Sequence, residues 1–257
     1  MYISSLSNQH IKDINRLQTK GAARRKEKLF VIEGIKMYRE VPKEDIVNTY
    51  VSESFLAEHK EELRGSYIIV KDNIFKDISD TVTPQGIVCI VRQKEYNLQT
   101  ILKKGTRQSF VLLESLQDPG NLGTIMRTAE GAGVTAVIVN KSTVDLFNPK
   151  VIRSTMGSIF RVPFLVYDEI GEAIEELQSH GVTVYAAHLR GEKFYDEEAY
   201  EGSSAILIGN ESKGLSEETS DRADRLIKIP MEGQLESLNA AVSAAILMYE
   251  IKRKGKK

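Results

Sequence analysis

The feature that most limits what this chain can fold into is an alternation of short apolar runs with helical patterns that starts twice. In the first part, runs at 29–33, 50–51, 67–70 and 86–91 have strand length, and 53–63 and 73–78 carry apolar residues at helical spacing. The alternation stops at 93–108, which is polar and follows neither period. It then restarts with longer, more apolar runs at 110–113, 136–140, 164–167, 182–187, 205–209 and 226–229. Such runs predict a buried, mostly parallel sheet, and helical patterns at 121–132, 149–160, 169–178 and 238–253 predict helices on both of its faces. The expected layout is a small α/β domain over 1–92, a linker over 93–108 and a larger α/β domain over 109–257.

Composition narrows the function classes. Hydrophobic residues make up 41% and charged residues 28%, enough to bury a core and too apolar for a disordered chain. No apolar run approaches the roughly 18 residues needed to span a bilayer, and residues 1–7 lack the order of a secretory signal, so the expected compartment is the cytoplasm. A lone cysteine, Cys89, excludes an internal disulfide and a multi-cysteine zinc site, and His10, His59, His180 and His188 lack ligand spacing. No metal is therefore expected.

The formal net charge of −1 hides a segregation. Up to Lys28, seven Lys and Arg face only Asp13 and Glu27, whereas 168–176 is acidic. Ile11, Ile14 and Leu17 recur at helical spacing, so one side of this basic helix can pack while Arg16, Lys20, Arg24 and Arg25 project toward a polyanion. The plainer alternative is a solvated helix face.

Three segments of the second domain put Gly, Pro and polar residues at the carboxyl ends of predicted strands, where open α/β sheets bind ligands. The first runs from Glu114 through Pro119-Gly120-Asn121 to Arg127, the second from Ile208 to Gly214, and the third from Ile229 to Asn239. None is a dinucleotide fingerprint, a P-loop or a nucleophile elbow, which argues against a nicotinamide-dependent oxidoreductase and a hydrolase.

Together the three resemble the signature motifs of the SpoU/TrmH family of SPOUT methyltransferases. Asn121-x-Gly123-x-x-x-Arg127-Thr128-Ala129 is similar to the first motif and Gly209-x-Glu211-x-x-Gly214 to the second. Ile229-Pro230-Met231 with Ser237-Leu238-Asn239 is similar to the third. Asn148 to Ser154 with Gly157 resembles a further family segment, and Asn8, Ile11-Lys12 and Phe30 to Gly34 resemble the family's N-terminal substrate-binding domain.

The resemblance implies an RNA methyltransferase that moves a methyl group from S-adenosylmethionine to a ribose 2′-oxygen, with ribosomal RNA of the large subunit favoured. It implies a deep trefoil knot in the second domain, a small ribosomal-protein-like α/β domain before it, and a homodimer packed through the knot. The positions matching the donor pocket are Leu207, Gly209, Ile229, Met231 and Leu238, and those matching the catalytic set are Asn121, Arg127, Glu211, Ser237 and Asn239. A ribose hydroxyl is a very weak acid, so side chains help most by removing its proton or steadying the alkoxide. Arg127 keeps its proton and fits a clamp on phosphate and alkoxide better than a base. A structural role for Glu211, bonding the backbone of its own loop, ranks ahead of a catalytic one, and Ser237 is a candidate cap for the long helix after it. The alternatives are an RNA-binding protein that has lost catalysis and a transfer-RNA 2′-O-methyltransferase.

Overall fold

The computed structural model describes residues 1–103 and 105–255. In chain order the elements begin with β1 (Tyr2–Ile3), α1 (Gln9–Thr19), α2 (Gly21–Glu27), β2 (Leu29–Glu33) and α3 (Ile35–Glu40). They continue with β3 (Ile46–Ser52), α4 (Glu53–His59), β4 (Ile68–Val70), α5 (Asp72–Ile78) and β5 (Ile87–Arg92). A short α6 (Leu98–Ile101) precedes β6 (Ser109–Leu113), α7 (Pro119–Ala132), β7 (Ala136–Asn140), α8 (Pro149–Thr155) and β8 (Phe164–Tyr167). Then come α9 (Ile170–Ser179), β9 (Val182–Ala187), β10 (Lys193–Phe194), β11 (Ser203–Ile208), α10 (Glu217–Arg222), β12 (Arg225–Lys228) and α11 (Ala240–Lys254). No helix among the described residues is long and apolar enough to cross a membrane.

These elements form two compact units, one of Met1–Lys94 with Asp145–Phe160, the other of Glu95–Val144 with the chain from Arg161 on. The first unit has a five-stranded mixed sheet in the order β1-β4-β3-β5-β2. Helix α1 starts where the Asn8 side chain accepts the His10 N–H, and it buries Ile11, Ile14 and Leu17 at the expected spacing. These three pack with Val31, Tyr50, Phe75 and Val88.

Residues 145–160 correct the expected boundary. The pattern at 149–160 predicts a helix on the second domain's sheet, but this segment belongs to the first unit. Phe30 on β2 meets the rings of Phe147 and Phe160 at 4.8 and 6.3 Å, and Asp145 pairs with Arg24 at 2.6 Å. Helical spacing shows that a helix covers a sheet but not which sheet.

The second unit has a seven-stranded sheet in the order β10-β12-β9-β11-β6-β7-β8, with every pair parallel. From β6 the chain moves outward to β7 and β8 and then returns to the other side of β6, so the strand order reverses between β6 and β11. A crevice opens beyond the carboxyl ends of strands at such a reversal. The polar stretch expected as a linker contributes to this unit: Leu98 is buried in its core, and Tyr96, Ile101 and Leu102 pack against that core. Gln108 fastens the end of the stretch by donating from Nε2 to the Ile101 carbonyl at 2.9 Å. Lys104 lies outside the described residues.

Candidate functional site

The first and second segments singled out in the sequence follow the adjacent strands β6 and β11, and the third follows β12. Gly209 explains why the second loop can fold back on itself. A Cβ there would lie 2.2 Å from the backbone carbon of Gly214 and 2.3 Å from the nitrogen of Leu215, so only glycine fits. Asn210 and Gly214 close the loop by exchanging backbone hydrogen bonds at 3.0 and 2.9 Å. The Asn210 side chain accepts the N–H groups of Ser212 and Lys213 inside the loop and donates to the Ser115 carbonyl across the sheet at 2.8 Å.

Glu211 joins the second loop to the first. Its carboxylate accepts the N–H of Gln117 at 3.0 Å, the N–H of Asp118 at 2.9 Å and Asn121 Nδ2 at 3.1 Å. Burial acts to raise the Glu211 pKa, and the hydrogen bonds from Gln117, Asp118 and Asn121 outweigh it and hold the carboxyl below its ordinary value. An ionised carboxylate with three donors already bound is a poor proton acceptor, which accords with a structural role.

Asn121 in turn receives Asn239 Nδ2 on its side-chain oxygen at 2.9 Å. A chain of hydrogen bonds from Glu211 through Asn121 to Asn239 thus connects all three loops. Asp118 caps α7 by accepting the Asn121 N–H at 2.7 Å, with Pro119 at the first helical position. Asn239 caps α11 by accepting the N–H groups of Ala241 and Val242, so the capping role expected of Ser237 belongs to Asn239 instead. Arg127 is exposed on α7 and has no ion pair or hydrogen bond among the described residues.

Beside this network is a cavity of about 310 Å³, lined by the carboxyl ends of β9, β11 and β12 and the start of α11. Of the five positions expected at the donor pocket, Gly209, Ile229, Met231 and Leu238 line this cavity and Leu207 does not; Ser237, expected in the catalytic set, lines it too. Leu207 sits inside β11 with its side chain fully buried in the core. The cavity combines apolar walls from Ile208, Leu215, Ile227, Met231 and Leu238 with a glycine turn that brings backbone close, which suits an adenosine with its methionine tail. His188 and Leu189 also line it. Neither belongs to a motif, but both follow the 182–187 run, at a strand end where ligand contacts are expected. Asn210 lies within the second motif, between Gly209 and Glu211, and also lines the cavity.

The basic N-terminal set divides. Helix α1 ends at Thr19 and α2 begins at Gly21, so the set spans two helices. Arg24 is buried, donating to Asp145 and to the carbonyls of Leu17 and Gln18, and is therefore not available to RNA. Arg16 is held by Asp13 and Glu27. Lys20 and Arg25 remain exposed.

Residues 108–249 match the SpoU rRNA Methylase family, and residues 8–89 match the MRM3-like substrate binding domain. The chain is 34% identical over 252 residues to the 23S rRNA (guanosine(2553)-2'-O)-methyltransferase RlmP of Bacillus subtilis strain 168, covering 97% of this chain and 98% of that protein. An AdoMet-bound rRNA methyltransferase from Sinorhizobium meliloti is 28% identical with a TM-score of 0.82, covering 98% of this chain and 97% of that one. A solved RNA 2'-O ribose methyltransferase is 30% identical with a TM-score of 0.82, and all of each chain is covered. The chain belongs to the SpoU rRNA methylase family of RNA ribose 2′-O-methyltransferases.

Proposed function

We propose that this protein methylates a ribose 2′-oxygen of large-subunit ribosomal RNA, on a guanosine, with S-adenosylmethionine as donor. The observation that carries this reading is the hydrogen-bonded closure of the three loops, Glu211 to Asn121 to Asn239, beside the cavity. The near-complete coverage of the Bacillus subtilis 23S rRNA enzyme supports the RNA class and the nucleotide. The AdoMet-bound relative supports the donor.

The donor supplies a methyl already activated on its sulfonium, so the protein has to hold it in line and favour the attacking oxygen. Ile229, Met231 and Leu238 hold the donor, and Arg127 presents an uncompensated positive charge to substrate phosphate and developing alkoxide. Asn121 and Asn239 orient without changing charge. No metal is needed for such a transfer. The intact polar network disfavours a binding protein that has lost catalysis, because nothing in RNA binding alone requires it.

The assembly in this reading is a homodimer formed through the second unit, whose chain carries a deep trefoil knot. Val242 and Tyr249, seven residues apart on α11, are about half exposed and supply an apolar stripe for a second copy. Cytoplasmic localisation follows from the substrate.

The test is a map of 2′-O-methyl groups in 23S rRNA from cells with and without the gene, together with calorimetry of S-adenosylhomocysteine on the pure protein. One guanosine should lose its methyl group and one ligand should bind per subunit. An unchanged 23S map with a lost methyl group in transfer RNA would replace the substrate. Absence of donor binding would overturn the reading.

A further inference from the structure

Ser115 follows β6 with a backbone φ of 56°, in the left-handed region that a residue with a side chain keeps only where its surroundings over-determine it. Those surroundings come from two other strands. Asn140, at the end of β7 and 4% exposed, accepts the Ser115 N–H on Oδ1 at 2.9 Å and donates from Nδ2 to Ser115 Oγ at 3.2 Å. Its Oδ1 is aimed by a second donor, the hydroxyl of Thr143 at 2.9 Å. The Ser115 carbonyl accepts Asn210 Nδ2 from the loop after β11 at 2.8 Å and Gln117 Nε2 at 3.0 Å.

Every polar atom of Ser115 is thus engaged, and the turn it begins has a defined output. Two and three residues on, the N–H groups of Gln117 and Asp118 meet the Glu211 carboxylate, and Asp118 then caps α7, which carries Asn121 and Arg127. No residue lining the donor cavity lies on this turn or on β7. Asn210 and Glu211, which bond this turn, do line the cavity, so Asn140 acts on α7 from one step behind the residues that face the donor.

We propose that Asn140 is a positioning residue for methyl transfer: by locking Ser115 in the left-handed conformation it sets α7, and with it Arg127, against the bound donor. This rests on the methyltransferase reading above.

The test uses the full-length protein with unmodified 23S rRNA. Asn140→Ala should bind S-adenosylhomocysteine within about threefold of wild type, while single-turnover methylation at saturating donor falls about 10²-fold, the scale of a misplacement near 1 Å. Glycine adopts a positive φ without steric cost, so adding Ser115→Gly to Asn140→Ala should restore the rate by about tenfold. A merely structural residue would give neither the split nor the rescue. If Asn140→Ala fails to fold by circular dichroism, the near-isosteric Thr143→Val carries the test, since it removes the hydroxyl that aims the Asn140 amide and should show the same split on a smaller scale. An unchanged rate, a rate loss matched by lost donor affinity, or a double variant no faster than Asn140→Ala overturns the positioning role. A wild-type protein that methylates no RNA overturns the functional reading, and the proposal with it.

Discussion

At the residue scale, the site separates groups that hold it together from groups free to act. Glu211, Asn121 and Asn239 are committed to one another, and Arg127 is left with an unmatched charge. A carboxyl whose folded-state pKa is lowered contributes stability that is full above its unfolded-state pKa and lost as pH falls through the folded value. Glu211 therefore keeps the loops joined through the neutral range, and its protonation should remove activity only at pH below the ordinary carboxyl range. Arg127→Ala should bind donor normally and lose about 10²–10³ in single-turnover rate, the usual cost of deleting one preorganised stabilising group. Arg127→Lys should recover little, because a point charge lacks the planar fork. Single-turnover methylation of both variants with saturating donor measures this, and a wild-type rate for Arg127→Ala would remove it from the catalytic set. These motif residues were legible because each keeps its type and spacing. Ser115 and Asn140 were not, because no local pattern distinguishes a serine with left-handed backbone or an asparagine that ends a buried strand.

At the element scale, the strand runs of the second half were legible because fully buried parallel strands are continuously apolar. The six expected strands of the seven-stranded sheet are present, and the missing one, β10, is a two-residue edge strand that leaves no run to detect. Helix α8 was visible as a helix, but its sheet was not, because partner choice depends on contacts such as Phe30 with Phe147 that are distant in sequence. Helix α11 shows what burial pattern adds. Ala240, Ala244, Leu247 and Ile251 face the core, whereas Val242 and Tyr249 are exposed. Isolated exposed apolar residues are ordinary on any surface, so the stripe needs a direct test as an interface. Val242→Asp combined with Tyr249→Asp should leave circular dichroism unchanged and shift light scattering at micromolar concentration from dimer to monomer. A wild-type protein that is already monomeric, or a variant that remains dimeric, would remove this face from the assembly.

At the scale of the whole molecule, charge divides between the units as it does along the sequence. The first unit carries eighteen Lys and Arg against fourteen Asp and Glu, and the second seventeen against twenty-two. A polyanion is therefore drawn to the first unit, although the basic residues there are not equivalent. Each phosphate contact that releases counterions adds about 0.7–0.9 to the salt slope of binding. Lys20 and Arg25 are exposed, so changing both to Gln should weaken RNA binding and lower that slope by about 1.5 while leaving donor affinity intact. Arg24 is spent on Asp145 and two carbonyls, so Arg24→Gln should leave the slope unchanged and instead destabilise the first unit by roughly 3 kcal/mol, the scale of a broken buried pair. Filter binding across a salt series, paired with thermal denaturation of each variant, separates the two effects. If Arg24→Gln lowered the slope as much as the double variant did, its side chain would have to leave Asp145 to reach RNA. If the double variant kept the full slope, Lys20 and Arg25 would be solvated surface and the RNA would lie elsewhere.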